Sequence, residues 1–151
     1  MREREVPVRH RPLRDRIRWV DRDTAPWLTV GACVFALSAA VLAVAGVPAA
    51  DLHGPLHRWG IMDPAWGGTR SVYLLLHGEL ARSVEFNPAV PIVVAVVGAV
   101  VLRALVGLVR GRWFSFSASR RIVAVAVIVS LLALEVNQQM HANLLTGPWS
   151  G

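Results

Sequence analysis

The strongest constraint on this chain is the run WLTVGACVFALSAAVLAVAGV, Trp27 to Val47, which carries no charge over 21 residues. As an α-helix it rises about 31 Å, enough to cross a hydrocarbon core of about 30 Å. In lipid every backbone N–H and C=O must find a partner within the protein, so such a run has to be helical. Ala89 to Val109 is a second run of this kind, and Ile122 to Val136 a third. The third is short, about 22 Å for 15 residues. Either the bilayer thins around it or the helix continues through NQQMHANLL. Hydrophobic residues make up 54% of the chain and mean hydropathy is +0.47, above what a soluble domain of this size carries. The expected fold is an all-α membrane protein with three transmembrane helices, about 26–47, 89–109 and 121–141. A short interfacial or re-entrant helical element, about 70–87, lies between the first and second. These form a single membrane domain, 25–145, after an arginine-rich cytoplasmic segment, 1–24, and before a C-terminal tail, 146–151.

The sequence VPAA at 47–50 offers small residues of the kind seen at signal-peptide cleavage sites. The apolar run is longer than a usual signal core and further membrane segments follow, so it reads as a retained helix. Pro26 falls in its first turn, with Thr24 as the expected cap. Ala32, Ala36 and Ala40 place small residues at every fourth position, a spacing that permits close helix approach. Cys33 is the one cysteine, which excludes an intramolecular disulfide and a cysteine zinc site. A buried free thiol is expected there.

Charge sets the orientation. The 16 basic residues are all arginine, and eight of them fall between residues 2 and 22. That bias fits a GC-rich bacterial genome. Positive charge beside an apolar run belongs on the cytoplasmic side, so membrane orientation explains it and nucleic acid is not an expected partner. The loop RGRWFSFSASRR, 110–121, is likewise inside, while 48–88 is outside. Three crossings then place the N-terminus inside and the C-terminus outside the cytoplasmic membrane. Within 1–23, Leu13, Ile17 and Val20 recur at helical spacing, which gives either a helix lying on the inner leaflet or a disordered positive flank. Arg103 lies seven residues, about 10 Å, from Arg110, which directly follows the second run. It is expected to reach the headgroups as a snorkelling anchor.

The polar residues concentrate in DPAWGGTRSVYLLLHGELARSVEFNP, Asp63 to Pro88. Gly78 divides its helical part into an apolar and a charged half. Arg82 sits at pairing distance from Glu79 and Glu85, and His77 is placed to bond carbonyls at a helix end. Asp63 or Thr69 is placed to cap the short helix, and Asn87 the second crossing. Arg70 is a candidate partner for Glu135, whose burial near the outer end of the third helix otherwise costs stability. The candidate structural or ligand cluster is therefore Asp63, Thr69, Arg70, His77, Glu79, Asn87, Glu135, Asn137 and His141. Asp51, His53 and His57 form D-x-H-x3-H, but Pro55 disfavours the helix that would align them, and no metal site or cofactor is expected.

This stretch resembles the signature of a bacterial integral-membrane family defined as domain of unknown function 2752. Its members show a Cys-Pro-x-Cys-Gly-x-Thr-Arg type motif, an apolar helix with a Gly-Asp or Gly-Glu step, and Asn-Pro opening the next membrane helix. Pro64, Gly67, Thr69 and Arg70 match the first part, Gly78 and Glu79 the step, and Asn87 and Pro88 the last. The two positions that are commonly cysteine are Asp63 and Trp66 here, so cysteine-pair chemistry is excluded. The resemblance implies a fold type and supplies no mechanism.

No serine or cysteine nucleophile stands in a recognisable arrangement with His77, Glu79 and Arg70, so no catalytic residues are assigned and the chain is not expected to be an enzyme. The expected function is that of a non-catalytic accessory or scaffold subunit of a membrane assembly. The alternative is a binding or transport element that recognises an ion, lipid headgroup or small solute at the outer polar cluster. Expected partners are the lipid bilayer and another membrane protein or a second copy of the chain.

Overall fold

A computed structural model of the chain describes residues 17–48 and 63–147. Residues 1–16, Ala49 and Ala50 of the VPAA site, Asp51, His53 and His57 lie outside this range.

The three apolar runs form α1 (Pro26–Ala45), α4 (Ala89–Arg110) and α5 (Arg120–Met140), each long and apolar enough to cross a membrane. The chain is a polytopic helical membrane protein. Between α1 and α4 lie α2 (Gly68–Leu76) and α3 (Leu80–Phe86), and α6 (Ala142–Thr146) follows α5. The third apolar run does continue past Val136, to Met140. The joint between α2 and α3 is Gly78, with φ of 84°. Glu79 N–H donates to Leu74 O and Gly78 N–H to Leu75 O, which satisfies the last carbonyls of α2. This pattern needs a left-handed residue at position 78, and glycine is the residue that takes it without strain.

α1 packs against α4, and the α2–α3 hairpin packs on both. The core sits in that hairpin, where Trp66, Leu74, Phe86 and Leu145 are buried together. Ala32 is buried on α1 and Ala104 on α4, while the rest of both helices is largely exposed. Cys33 is exposed rather than buried, because it lies off the face that α1 turns inward. α5 behaves differently again: every residue from Arg120 to Ala133 is exposed, and burial begins only at its far end with Gln138.

One element departs from the expectation. Ile17–Val20 is a strand, β1, neither an interfacial helix nor a loose flank, and it pairs antiparallel with β2 (Trp113–Phe116) in the loop between α4 and α5. The register is Ile17 with Phe116, Arg18 with Ser115, Trp19 with Phe114 and Val20 with Trp113. A two-stranded ribbon is marginal by itself; this one lies against the end of α4. Trp113 covers Gly107, where any Cβ would run into the indole ring. Thr24, the expected helix cap, instead meets Ser115 Oγ at 3.1 Å.

Candidate functional site

The Asp63–Pro88 stretch becomes a junction for three parts of the chain. Asp63 Oδ1 accepts from Ala65 N–H at 2.8 Å, and Trp66 N–H donates to Asp63 O at 3.0 Å. This aspartate turn drives Trp66 into the core. Gly67 follows with φ of 72°, and there a Cβ would lie 2.7 Å from Phe86 O and 2.8 Å from Leu145 Cδ2. Conformation and space therefore both require glycine. Thus the two positions that resemble a cysteine pair are here a turn former and a core plug.

Asn87 is buried and uses both ends of its amide. Nδ2 donates to Pro64 O at 3.0 Å and to Trp66 O at 3.1 Å, while Oδ1 accepts from Ala89 N–H at 3.1 Å and so caps the entry to α4. Ser71 Oγ lies 2.8 Å from both Ser83 Oγ and Ser83 O, and 3.2 Å from Asn87 O. Because carbonyls only accept, the Ser71 proton goes to one of them and Ser83 donates in turn. These bonds fasten α2 to α3 in a place without solvent.

Gln138 brings in α5. Its Nε2 donates to Trp66 O at 2.7 Å and to Phe86 O at 3.2 Å. Among the described residues its Oε1 is buried with no hydrogen-bond partner. Arg70 brings in α6: Nη1 donates to Leu145 O and Gly147 O, both at 3.2 Å, and the guanidinium lies 5.8 Å from the Phe86 ring centre. Carbonyls at a helix C-terminus carry partial negative charge, so a guanidinium is well placed there.

Of the sequence-predicted cluster, the junction gathers Asp63, Arg70 and Asn87. Thr69 is half-buried in the first turn of α2, whose cap is Gly67 rather than Thr69 or Asp63. His77 is exposed, with Nδ1 2.8 Å from Tyr73 O and its ring stacked on Tyr73. Glu79 is exposed and pairs with Arg82 at 2.7 Å. Glu135 is half-buried on α5 and forms no ion pair with Arg70, which faces the carbonyls of α6 instead. Asn137 O lies 2.8 Å from Nδ1 of the exposed His141. His77, Glu79 and His141 are thus satisfied locally on the outside of the junction. No group of three or more potential metal ligands occurs among the described residues.

Gln138 was missing from the expected cluster. It stood in the sequence among Glu135, Asn137 and His141, and nothing in spacing singled it out. A second node, at the opposite end of the helices, was also missing. Arg103 Nη2 pairs with Asp23 Oδ1 at 2.8 Å and Nη1 donates to Thr29 Oγ1 at 3.3 Å. Its Nε donates to Phe114 O, and its guanidinium lies 5.3 Å from the Trp113 ring centre. Asp23 also accepts from Thr29 Oγ1 at 2.6 Å and Ala25 N–H at 2.8 Å. The two side chains are 15% and 14% exposed, so Arg103 is a half-buried tie rather than a free snorkelling anchor. Burial pushes the Asp23 carboxyl up. The hydrogen bonds from Arg103, Thr29 and Ala25, with the charge of Arg103, outweigh it and hold the group below its ordinary value of 3.8.

Residues 55–101 match the model of a family described as "Protein of unknown function (DUF2752)". The matched span contains the whole Asp63–Asn87 junction motif and the first half of α4, in agreement with the resemblance carried by those residues. Comparison with curated proteins and with solved structures gives no match.

Proposed function

We propose that this membrane protein is a non-catalytic accessory or scaffold subunit that docks to another membrane protein through α5. The observation that carries this reading is the contrast along that helix. α5 is held by Gln138 at one end, while Arg120 to Ala133 are exposed all round. The polar groups of the motif support it as well. Arg70, Asn87, Ser71 and Gln138 are directed at carbonyls of the fold itself, the arrangement of a lock holding helices together.

The test is a photo-reactive side chain placed at Ile128 on α5 and, separately, at Leu37 on α1, both exposed in the chain. The expected result is one membrane protein that cross-links to position 128, not to 37, and co-purifies at fixed stoichiometry in mild detergent. A monomer with only lipid adducts at both positions would remove the accessory reading.

The alternative, a binding element at the junction, is favoured by a single atom. Gln138 Oε1 is a buried acceptor with no hydrogen-bond partner among the described residues, and a ligand with a hydrogen-bond donor would satisfy it. Saturable stabilisation of the purified protein by an ammonium-type or hydroxylated solute, lost in Gln138→Met, would support this reading.

A further inference from the structure

Opposed residues of an antiparallel ribbon project from the same face. In β1–β2 the face with Trp113 and Ser115 lies against α4 and Thr24. The other face presents Trp19, Phe114 and Phe116, which are 47%, 38% and 62% exposed, with Trp19 edge-on to Phe114 at 5.8 Å. Three large aromatics in one exposed face are uncommon on a surface meant for water.

Position explains them. The ribbon lies where α1 begins, α4 ends and α5 begins, so it sits at one membrane surface. Arg18, Arg22, Arg110, Arg112, Arg120 and Arg121 are all exposed at this end, whereas Arg103 is taken by Asp23. Among the described residues this end holds seven arginines and two aspartates, and the opposite end two arginines and four acids. Flat guanidinium groups match phosphate oxygens two at a time, and aromatic rings favour the boundary between headgroups and acyl chains. The ribbon is also held in place beforehand, by Arg103 on Phe114 O and by the Thr24–Ser115 bond, so little ordering is left for binding.

We propose that the β1–β2 ribbon is a docking surface for anionic phospholipid headgroups, with Arg22 and Arg112 taking the lipid phosphate and Trp19, Phe114 and Phe116 entering the acyl boundary. The occupant follows from charge: a surface this positive beside three membrane helices meets the headgroups of its own leaflet before any soluble partner.

The test is native mass spectrometry of the full chain released from detergent with phosphatidylglycerol or phosphatidylcholine at equal concentration. The expected result is several-fold more retained phosphatidylglycerol, a preference that falls with added salt and is reduced toward the phosphatidylcholine level in R22Q/R112Q. Arg82→Gln, at the other end of the molecule, should leave it unchanged. Equal retention of the two lipids, a preference insensitive to salt, or an equal loss in Arg82→Gln would each overturn the proposal. So would full competition by inorganic phosphate, or displacement of the lipid by a peptide or nucleic acid. The near-ultraviolet circular dichroism of the aromatic pair checks that R22Q/R112Q keeps the ribbon. If that signal is lost, the salt dependence of the unaltered chain decides.

Discussion

Gln138 Nε2 and the Trp66 carbonyl oxygen lie 2.7 Å apart although their residues are separated by 72 positions. The same oxygen receives Asn87 Nδ2 at 3.1 Å. One backbone carbonyl thus ties α5 and the entry to α4 to the turn before α2.

Because Asn87 and Gln138 share that acceptor, their losses should not add. Each alanine substitution leaves buried carbonyls short of a donor and should cost about 1–3 kcal/mol. The double variant should depart from the sum by at least about 0.5 kcal/mol in a cycle of thermal melts in detergent. Additive losses would mean that the shared carbonyl couples nothing.

Arg70 and Glu135 should behave in the opposite way. Arg70→Ala frees the last carbonyls of α6 and lowers the melting temperature, whereas Glu135→Ala has a small effect. The pair should be additive within about 0.5 kcal/mol, since no ion pair joins them.

Gly67→Ala and Gly78→Ala separate conformation from space. Both residues have positive φ, which costs a β-carbon about 1–2 kcal/mol. At Gly78 no atom of the described residues lies within 4 Å of the added atom, but at Gly67 it meets Phe86 O and Leu145. Denaturation should show Gly67→Ala as clearly the worse, and equal losses would contradict the packing of the turn.

The Asp23–Arg103 pair makes one end of the molecule acid-sensitive. Asp23 is held below 3.8, so its contribution is fully present above that value and is lost as pH falls through its lower value in the fold. Asp23→Asn should flatten stability against pH in this range. Arg103→Met should cost up to about 3 kcal/mol, because it leaves the carboxylate without its cation. An unchanged acid limb in Asp23→Asn would show that other carboxylates set it.

Orientation has its own measurement. With Cys33 replaced by alanine, a cysteine at Ser117, exposed beyond β2, should react with an impermeant thiol reagent only after the cytoplasmic side is opened. Labelling from outside intact cells would invert the arrangement.

The helices were legible because lipid removes alternatives: an uncharged run of membrane length has one way to satisfy its backbone. The break at Gly78 was legible too, since glycine marks a left-handed position. The ribbon was not. Ile17-Arg18-Trp19-Val20 is too short to declare a period, and its partner at Trp113–Phe116 lies far along the chain. For the same reason Arg103 was read by depth alone, without the aspartate that the ribbon brings to it. In the junction Asn87 could be assigned from its place before Pro88, a local relation. Gln138 acts only through carbonyls contributed by two distant turns, and carbonyls leave no mark in a sequence.

The manner in which α5 is fastened makes helical phase, and not only length, a quantity the chain must encode. Its near end follows β2 after three residues, and its far end must present Gln138 to Trp66. An alanine inserted at the exposed middle, near Val127, would touch no packed neighbour there. It would still turn Gln138 by about 100° and carry it about 1.5 Å onward, away from both carbonyls. A residue can therefore be indifferent to its own surroundings and yet be counted.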